Sequence, residues 1–290
     1  MAIFLTGGVG KTSSRVASRL QDAKIPFVLG SRRGASAAPA GMNAVKFDWL
    51  DDSTYKNAFE HKFPNGEAIK AIYLVAPDVE DVAPVMNAYI DYCVKEQGVK
   101  RFVLMAGSSA EPGGWHTGKV WQHLLDIGVE YAVLRPSWFM ENMSEGWSQA
   151  SVKSGLLVTA CGDGKIPFIS AEDIAAVVFH TLTDEKPHNT SYRLLGPELL
   201  THDDWRLQIA KKLSKLLGRE IANLKLTGEE RRKGLKEHGM AEHFADFVTE
   251  LELMTSRGEE EFEGNDVEKV TGRPPQSFDE FARRNKAAWE

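Results

Sequence analysis

Short apolar runs alternate with helical patterns along the first half of the chain, and this alternation predicts a layered α/β architecture. Six runs of three to five residues are rich in apolar side chains: Ala2–Leu5, Phe27–Leu29, Ala44–Phe47, Ala71–Val75, Arg101–Met105 and Tyr131–Leu134. Because most of them are apolar at nearly every position, we expect strands that are covered on both faces, as in a parallel sheet with helices on each side. A ligand of such a sheet lies at the carboxyl ends of the strands.

The alternation loosens from about Met143, which predicts a second and smaller region. We expect residues 1–150 to form a Rossmann-like, nucleotide-binding core. Residues 151–290 are expected to form a mixed, mainly helical region that binds substrate or acts as a lid, and the two regions are expected to make one continuous unit. The second region is predicted to contain a strand at Leu156–Val158, a buried segment at Ile166–Ile169, and helices at Asp173–Leu182 and His202–Leu217. A further apolar stripe at helical spacing is expected to be core: Phe244, Phe247, Val248, Leu251 and Met254.

A glycine-rich turn joins the first apolar run to the first helical pattern. Its sequence is Thr6-Gly7-Gly8-Val9-Gly10-Lys11-Thr12. Glycine lets the backbone approach an anion closely, and the N–H groups at the start of a helix attract negative charge. The predicted phosphate contacts are Thr6, Gly7, Gly10, Lys11 and Thr12.

The turn is compatible with two kinds of phosphate ligand, because Gly10-Lys11-Thr12 also resembles the end of a Walker A loop. Such a loop requires a glycine five residues before Gly10, where this chain has Leu5 inside the predicted strand. In a dinucleotide fold Gly7 makes the turn and Gly10 admits the pyrophosphate, although Ser13 stands where a third glycine is usual. The turn therefore favours a dinucleotide over a nucleoside triphosphate.

The second predicted strand ends in Gly30-Ser31-Arg32-Arg33 and favours NADP(H). Folds that bind NAD carry an acidic residue near this position for the adenosine ribose. Here a hydroxyl and two guanidiniums are present instead, and they suit a 2′-phosphate; the alternative is a pair of solvent-facing loop arginines. Predicted cofactor contacts near the ends of the other strands are Asp48, Trp49, Val75, Ala76, Pro77, Ala106, Pro136 and Ser137.

Candidate catalytic residues follow the fifth predicted strand. Ser108 stands where short-chain dehydrogenases keep a serine, and Trp115 and Lys119 occupy the spacing of their Tyr-x-x-x-Lys motif. Lys119 suits contact with the nicotinamide ribose, but an indole cannot protonate the alkoxide formed when a carbonyl is reduced. An iminium carbon needs no proton in that step, so the missing tyrosine points to C=N reduction or away from redox catalysis. His116 or His123 is an alternative proton donor.

Aromatic residues follow the sixth predicted strand and indicate a pocket for a flat substrate. Trp138 and Phe139 offer ring faces that suit a polycyclic ligand, and a cation gains further from them. The neighbouring Glu141 either stabilises an iminium charge, as a third catalytic candidate, or is a carboxylate at a helix N-terminus. The predicted substrate pocket comprises Trp115, His116, Trp138, Phe139, Asn142 and Phe168.

Composition narrows the class of protein. The 290 residues are 42% hydrophobic and 26% charged, as in soluble globular chains, and a net charge of −6 argues against nucleic acid as a partner. Cys93 and Cys161 give neither a disulfide framework nor a metal motif, and they suit a reducing compartment. With no apolar run near 18 residues and no signal-peptide pattern, we expect a cytoplasmic protein without membrane or metal partners.

Together these motifs resemble those of the NmrA-like, atypical short-chain dehydrogenases, and among them the fungal ergot-alkaloid reductases of the festuclavine synthase and agroclavine dehydrogenase group. The resemblance runs nearly end to end. It is carried by Thr6–Thr12, Phe47–Leu50, Arg101–Leu104, Leu134–Asn142, Gly164–Ser170, Leu195–Leu200 and Val270–Gly272. It implies an NADPH-dependent reductase that acts on an iminium in an indole alkaloid, in fungal secondary metabolism.

The sequence departs from that group where substrate is expected. The group commonly has Met-Gly-x-x-His-x-His-Leu after the fifth strand, whereas Thr117–Leu124 has Trp121 in place of one histidine, and Gly113–Trp115 adds bulk. Another polycyclic or prenylated indole alkaloid therefore fits as well as an ergoline. One alternative is a redox-mediated cyclase, in which hydride transfer is coupled to a ring closure such as a Diels-Alder cycloaddition. A non-catalytic NADP(H)-sensing regulator is the alternative from another class of protein.

Overall fold

The chain folds into two compact units in a computed structural model that describes residues 1–202 and 209–290. Unit 1 comprises Met1–Pro136, Ala171–Arg193 and Lys269–Gly272. Unit 2 comprises Ser137–Ser170, Leu194–Glu268 and Arg273–Glu290. This division differs from the predicted one at residue 150, because the segment Ala171–Arg193 returns to unit 1 and packs there against the first helix.

Unit 1 contains a seven-stranded sheet, and six of its strands lie close to the predicted apolar runs. The strands of the described chain are Ala2–Leu5 (β1), Phe27–Ser31 (β2), Ala44–Lys46 (β3), Ile69–Leu74 (β4), Arg101–Met105 (β5), Glu130–Pro136 (β6), Leu156–Thr159 (β7), Thr190–Leu194 (β8) and Ala222–Lys225 (β9). The order in the sheet is β3-β2-β1-β4-β5-β6-β8, and neighbours from β3 to β6 pair in parallel. The predicted Rossmann-like α/β fold is confirmed.

The α-helices connect these strands and make up much of unit 2. They are Lys11–Asp22 (α1), Asn57–Glu60 (α2), Ala83–Lys95 (α3), Thr117–Asp126 (α4), Gln149–Lys153 (α5), Ala171–Thr183 (α6), Ile209–Leu217 (α7), Gly228–Glu237 (α8), Glu242–Ser256 (α9), Asp266–Thr271 (α10) and Phe278–Arg284 (α11). The helix predicted at Asp173–Leu182 is confirmed as α6. Of the helix predicted at His202–Leu217, the part from Ile209 is confirmed as α7, His202 is not helical, and residues 203–208 lie outside the described residues.

The core of unit 1 is built on strands that are buried on both faces. All four residues of β1 are fully buried, as its continuous apolar run predicts. Aromatic rings thicken this core: Phe47 packs edge-on against Phe4 and Trp49, with ring centroids 5.2 and 5.0 Å away. The Trp49 ring is thereby part of the core.

Gly30 in β2 has no room for a side chain. A Cβ atom there would lie 2.6 Å from Cζ of Phe4 and 3.1 Å from Cβ of Phe47. We expect Gly30→Ala to lower the free energy of unfolding by about 1–3 kcal/mol, because closely packed rings would have to move. Gly234→Ala is the matched control, since Gly234 lies within α8 with no atom near its missing Cβ, and it should raise that free energy by about 0.5–1 kcal/mol. Urea unfolding compares the two, and a Gly30→Ala protein as stable as the parent would contradict this close packing.

Unit 2 combines a two-stranded parallel sheet of β7 and β9 with helices. The predicted strand Leu156–Val158 is confirmed as β7. Ile166–Ile169 is buried as expected, and its two ends form isolated β-bridges, Ile166 with Leu200 and Ile169 with Phe139. The sequence pattern does not predict β8 or β9, because only Leu194 is buried in β8 and no residue is buried in β9.

The buried face of α9 differs from the apolar stripe that the sequence suggests. Val248 is buried, but the remaining members of the stripe are only partly buried. The helix instead buries Ala245, Thr249, Glu252 and Thr255 beside Val248. The buried face of α9 differs from the predicted stripe because the Glu252 carboxylate binds the buried Arg231 of α8.

Candidate functional site

An open groove in unit 1 lies at the carboxyl ends of β1, β2 and β4, where the parallel sheet predicts a ligand. Its volume is about 720 Å³, within the range of ordinary ligand sites. Eleven of the predicted cofactor contacts line it: Thr6, Gly7, Gly10, Ser31, Arg32, Arg33, Asp48, Trp49, Val75, Ala76 and Pro77. Gly8, Val9, Leu50, Asp78 and Val79 also line the groove and were not predicted.

The glycine turn shapes one end of this groove. Gly10 is the N-cap residue of α1, and its N–H donates a hydrogen bond to the carbonyl oxygen of Gly7 over 3.1 Å. A Cβ on Gly7 would overlap the Ser13 hydroxyl and lie 3.0 Å from Cγ2 of Val75. Gly8 has a φ of +57°, which favours glycine. Ser13 therefore fits in place of the third glycine because Gly7 leaves space for it.

Thr6 and Thr12 stabilise the strands next to the turn. The Thr6 hydroxyl donates to the carbonyl oxygen of Tyr73 over 3.0 Å and accepts from the Val75 N–H over 2.9 Å. The Tyr73 hydroxyl donates to Oγ1 of the buried Thr12 over 3.0 Å. Thr12 thus faces the core of unit 1, which its position at the start of α1 does not reveal.

The remaining predicted cofactor contacts lie elsewhere among the described residues. They are Lys11, Thr12, Ala106, Lys119, Pro136 and Ser137. Ala106 extends β5, since its N–H donates to the Leu134 carbonyl oxygen over 2.8 Å. Ser137 belongs to unit 2, and its buried hydroxyl lies 3.4 Å from Oε2 of the buried Glu260.

Arg32 and Arg33 are exposed at the end of β2. Within the described chain neither guanidinium forms an ion pair, in contrast to Arg15, whose Nε lies 3.1 Å from Glu172. The Arg33 N–H donates to Oγ of Ser31 over 3.3 Å, so the hydroxyl is held beside the two side chains. Residues 32–47, which follow β2, contain no carboxylate, so Arg32 and Arg33 give this end of the groove local positive charge.

The candidate catalytic residues of unit 1 surround the start of α4. Nζ of Lys119 lies 3.3 Å from Oδ2 of Asp81, and both side chains are about half exposed. Ser108 is buried, and its carbonyl oxygen accepts from the Arg135 guanidinium over 3.1 Å. That guanidinium also binds Glu111 over 2.6 Å. The Ser108 backbone is therefore hydrogen-bonded to a side chain near the end of β6.

Trp115, at the position of the usual tyrosine, has 60% of its surface exposed. His116 follows with a φ of +53° and precedes α4, and burial lowers the pKa of its imidazole. His123, the other candidate proton donor, lies 2.8 Å from Oδ1 of Asp91 through Nε2. His123 therefore has a structural partner on α3.

The aromatic residues predicted for the substrate pocket divide between the two units. Trp138, Phe139, Asn142 and Phe168 line one narrow cavity of unit 2, with a free volume of about 30 Å³, whereas Trp115 and His116 belong to unit 1. The other lining residues were not predicted as pocket residues; they are Met143, Trp147, Ser148, Leu157, Val158, Thr159, Cys161, His202 and Glu252. Three of these come from β7 and one from α9, and the other five lie in segments whose spacing carries no motif.

Glu141 is buried, and its Oε1 accepts a hydrogen bond from the Ser170 hydroxyl over 3.3 Å. Glu141 is not among the described residues that line the cavity of unit 2, where Glu252 supplies the carboxylate. Glu141 is the middle residue of a short 3₁₀ turn at Met140–Asn142, which has no side-chain cap hydrogen bond.

A buried ion pair lies at the wall of this cavity. The carboxylate of Glu252 accepts from Nε of Arg231 over 3.0 and 3.1 Å and from Nη2 over 2.9 Å. Its Oε2 also accepts from the Ala160 N–H over 2.7 Å. Both oxygens of Glu252 are thus engaged within unit 2.

His202 also lines the cavity and is 6% exposed. Its ring packs edge-on against Phe168, with 5.6 Å between ring centroids. Burial, and to a lesser degree the charge of Arg231, lowers the pKa of His202 to about 4. The imidazole is therefore neutral at pH 7.

The described residues contain no group of three or more His, Cys, Asp and Glu side chains placed to hold a metal ion. Within residues 1–202 and 209–290, no helix has the length and apolar character needed to cross a bilayer.

The chain is similar over its full length to named oxidoreductases. No family model matches the sequence. The chain is 41% identical to festuclavine synthase II of Penicillium roqueforti over all of both proteins, and 40% identical to agroclavine dehydrogenase of Claviceps fusiformis over all of this chain and 99% of that one. Its fold resembles that of the Citrobacter triphenylmethane reductase complexed with NADP(H), with a TM-score of 0.78 and 20% identity over 98% of this chain and all of that one. The chain belongs to the festuclavine synthase and agroclavine dehydrogenase family of oxidoreductases.

Proposed function

We propose that this oxidoreductase uses NADPH to reduce a C=N centre, an iminium or imine, in an indole alkaloid. Family membership supports an alkaloid substrate, because relatives are named for agroclavine and festuclavine. The observation that carries the reaction class is the indole of Trp115 at the position of the catalytic tyrosine, four residues before Lys119.

The groove of unit 1 fits a dinucleotide phosphate. Gly7 and Gly10 leave the backbone open beside the start of α1, a 12-residue helix whose N–H groups favour a pyrophosphate. Arg32 and Arg33 would bind the 2′-phosphate, and Val75–Pro77 would border the ribose. The NADP(H) complex of the similarly folded triphenylmethane reductase supports this choice. When bound, the nicotinamide supplies the hydride.

The side chains around α4 suit a reaction without an acid. The N–H of the Trp115 indole is not acidic enough to act as a general acid, Lys119 pairs with Asp81, and the His123 ring lies 2.8 Å from Asp91. Reduction of a carbonyl at such a site would leave an alkoxide without a donor, whereas an iminium becomes a neutral amine on receiving hydride.

Oxidation of NADPH by the purified protein tests this function. We expect turnover with 2-methyl-3,4-dihydro-β-carbolinium, a cyclic indole iminium, and none with a ketone of similar size. Trp115→Phe should keep this turnover and so should His116→Phe, since neither side chain supplies a proton. Turnover that is lost in His116→Phe would identify this histidine as the donor.

The same assay separates the other candidates. A non-catalytic sensor would bind NADPH without oxidising it in the presence of any cyclic iminium. A redox-mediated cyclase would give a product with a new ring, which mass spectrometry and NMR distinguish from the simple amine. Either result would replace the proposed reduction.

A further inference from the structure

We propose that His202 recognises the indole N–H of the substrate by accepting a hydrogen bond from it in the cavity of unit 2. This inference rests on the proposed function for its alkaloid substrate. It assigns a specificity-determining role to a residue that no motif of the sequence indicates.

The first support is an unpaired ring nitrogen on a residue of the cavity wall. Nδ1 of His202 is buried and has no hydrogen-bond partner among the described residues, while the ring lies against Phe168 and lines the cavity. Buried polar atoms are nearly always paired, so one left unpaired is ready for a donor from a ligand. In the neutral ring one nitrogen donates and the other accepts, and the tautomer decides which of them is the acceptor.

The second support is the state of the neighbouring charges. Glu252 already accepts four hydrogen bonds, three from Arg231 and one from Ala160, so this carboxylate needs no donor from a ligand. The same Arg231 charge opposes a proton on His202. The imidazole therefore stays neutral and keeps one nitrogen as an acceptor, without repelling a cationic substrate.

The volume of the cavity admits only part of a planar ring. Its free volume of about 30 Å³ is too small for a whole indole, so only the edge that carries the N–H is expected to enter. The ring faces of Trp138 and Phe139 would contact the remainder. Met143, an unbranched side chain of the same wall, is expected to shift on binding.

Binding by isothermal titration calorimetry tests the inference with two probes, festuclavine and its indole N-methyl derivative. The parent protein should bind the N–H compound at least about 10-fold more tightly, because the methylated one leaves the acceptor unpaired. His202→Phe should bind both compounds within about twofold, whereas His202→Gln, which keeps an acceptor, should retain part of the preference. His238→Phe is the matched control, since His238 is exposed on unit 2, and it should preserve the full preference.

Three results would overturn the inference: equal binding of the two probes by the parent, no binding of either, or a preference that survives in His202→Phe. The last would show that the methyl group is rejected by crowding alone. Thermal unfolding of each variant checks that it is folded. Oxidation of NADPH with the carbolinium probe is scored separately, so a failed reductase with an intact N–H preference rejects only the proposed function.

Discussion

Replacing Arg32 and Arg33 together by alanine is expected to weaken NADPH binding by about 100-fold and NADH binding by less than about threefold. Each guanidinium can make charge-assisted hydrogen bonds to the 2′-phosphate, and two such residues at an exposed site are worth about 3 kcal/mol together. NADH lacks this phosphate, so its binding should depend on the glycine turn instead. Titration of the fluorescence of each reduced cofactor measures both dissociation constants.

A general loss of positive charge must be distinguished from recognition of the phosphate. The double variant Lys211→Ala/Lys215→Ala removes the same formal charge from exposed positions of α7. It should leave the ratio of the two dissociation constants unchanged. Equal weakening of NADPH and NADH in the arginine variant would show that these residues do not bind the 2′-phosphate.

Glu252→Gln is expected to lower the free energy of unfolding by about 3–5 kcal/mol. Arg231 is 7% exposed and Glu252 is 2% exposed, so neutralising the carboxylate leaves a buried guanidinium without a counter-charge. Glutamine keeps the shape of the side chain and an oxygen for the Ala160 N–H, which confines the change to the charge. Urea unfolding of the whole chain, followed by tryptophan fluorescence, measures the loss.

Two further variants make this result specific. Glu237→Gln breaks a pair with Lys233 that is 3.9 Å long and exposed on both sides, and it should change the free energy of unfolding by less than about 0.5 kcal/mol. The double variant Arg231→Met/Glu252→Leu should recover most of the lost stability, because two apolar side chains of similar size need no counter-charge. A Glu252→Gln protein within about 1 kcal/mol of the parent would contradict the importance of the pair.

Local patterns predicted the sheet of unit 1 because each central strand is short, apolar and buried on both faces. β8 escaped prediction for the opposite reason, since four of its five residues are only partly buried. Most groove residues, from Thr6 to Pro77, were also predicted from the sequence. They lie in loops that follow the predicted strands, and parallel strands bring their carboxyl ends to one edge of the sheet.

The limits of the sequence appear where long-range pairing decides the structure. Thr12 follows the glycine turn, yet its hydroxyl binds Tyr73, 61 residues later. Glu252 looks like a solvated residue of a charged helix, but its partners Ala160 and Arg231 come from other segments. No periodicity of the chain encodes such contacts, and His202 was missed for the same reason.

The interleaving of the units has a consequence for the order in which the chain leaves the ribosome. Strand β6 is complete at Pro136, but its neighbour β8 is made only with Thr190–Leu194, and until then β6 has an unpaired edge. The apolar face of α1, with Val16, Ala17 and Leu20, likewise awaits α6. The nascent chain thus exposes a strand edge and a helix face together while more than 30 further residues are synthesised. A holding chaperone is expected to protect the chain most effectively during this interval.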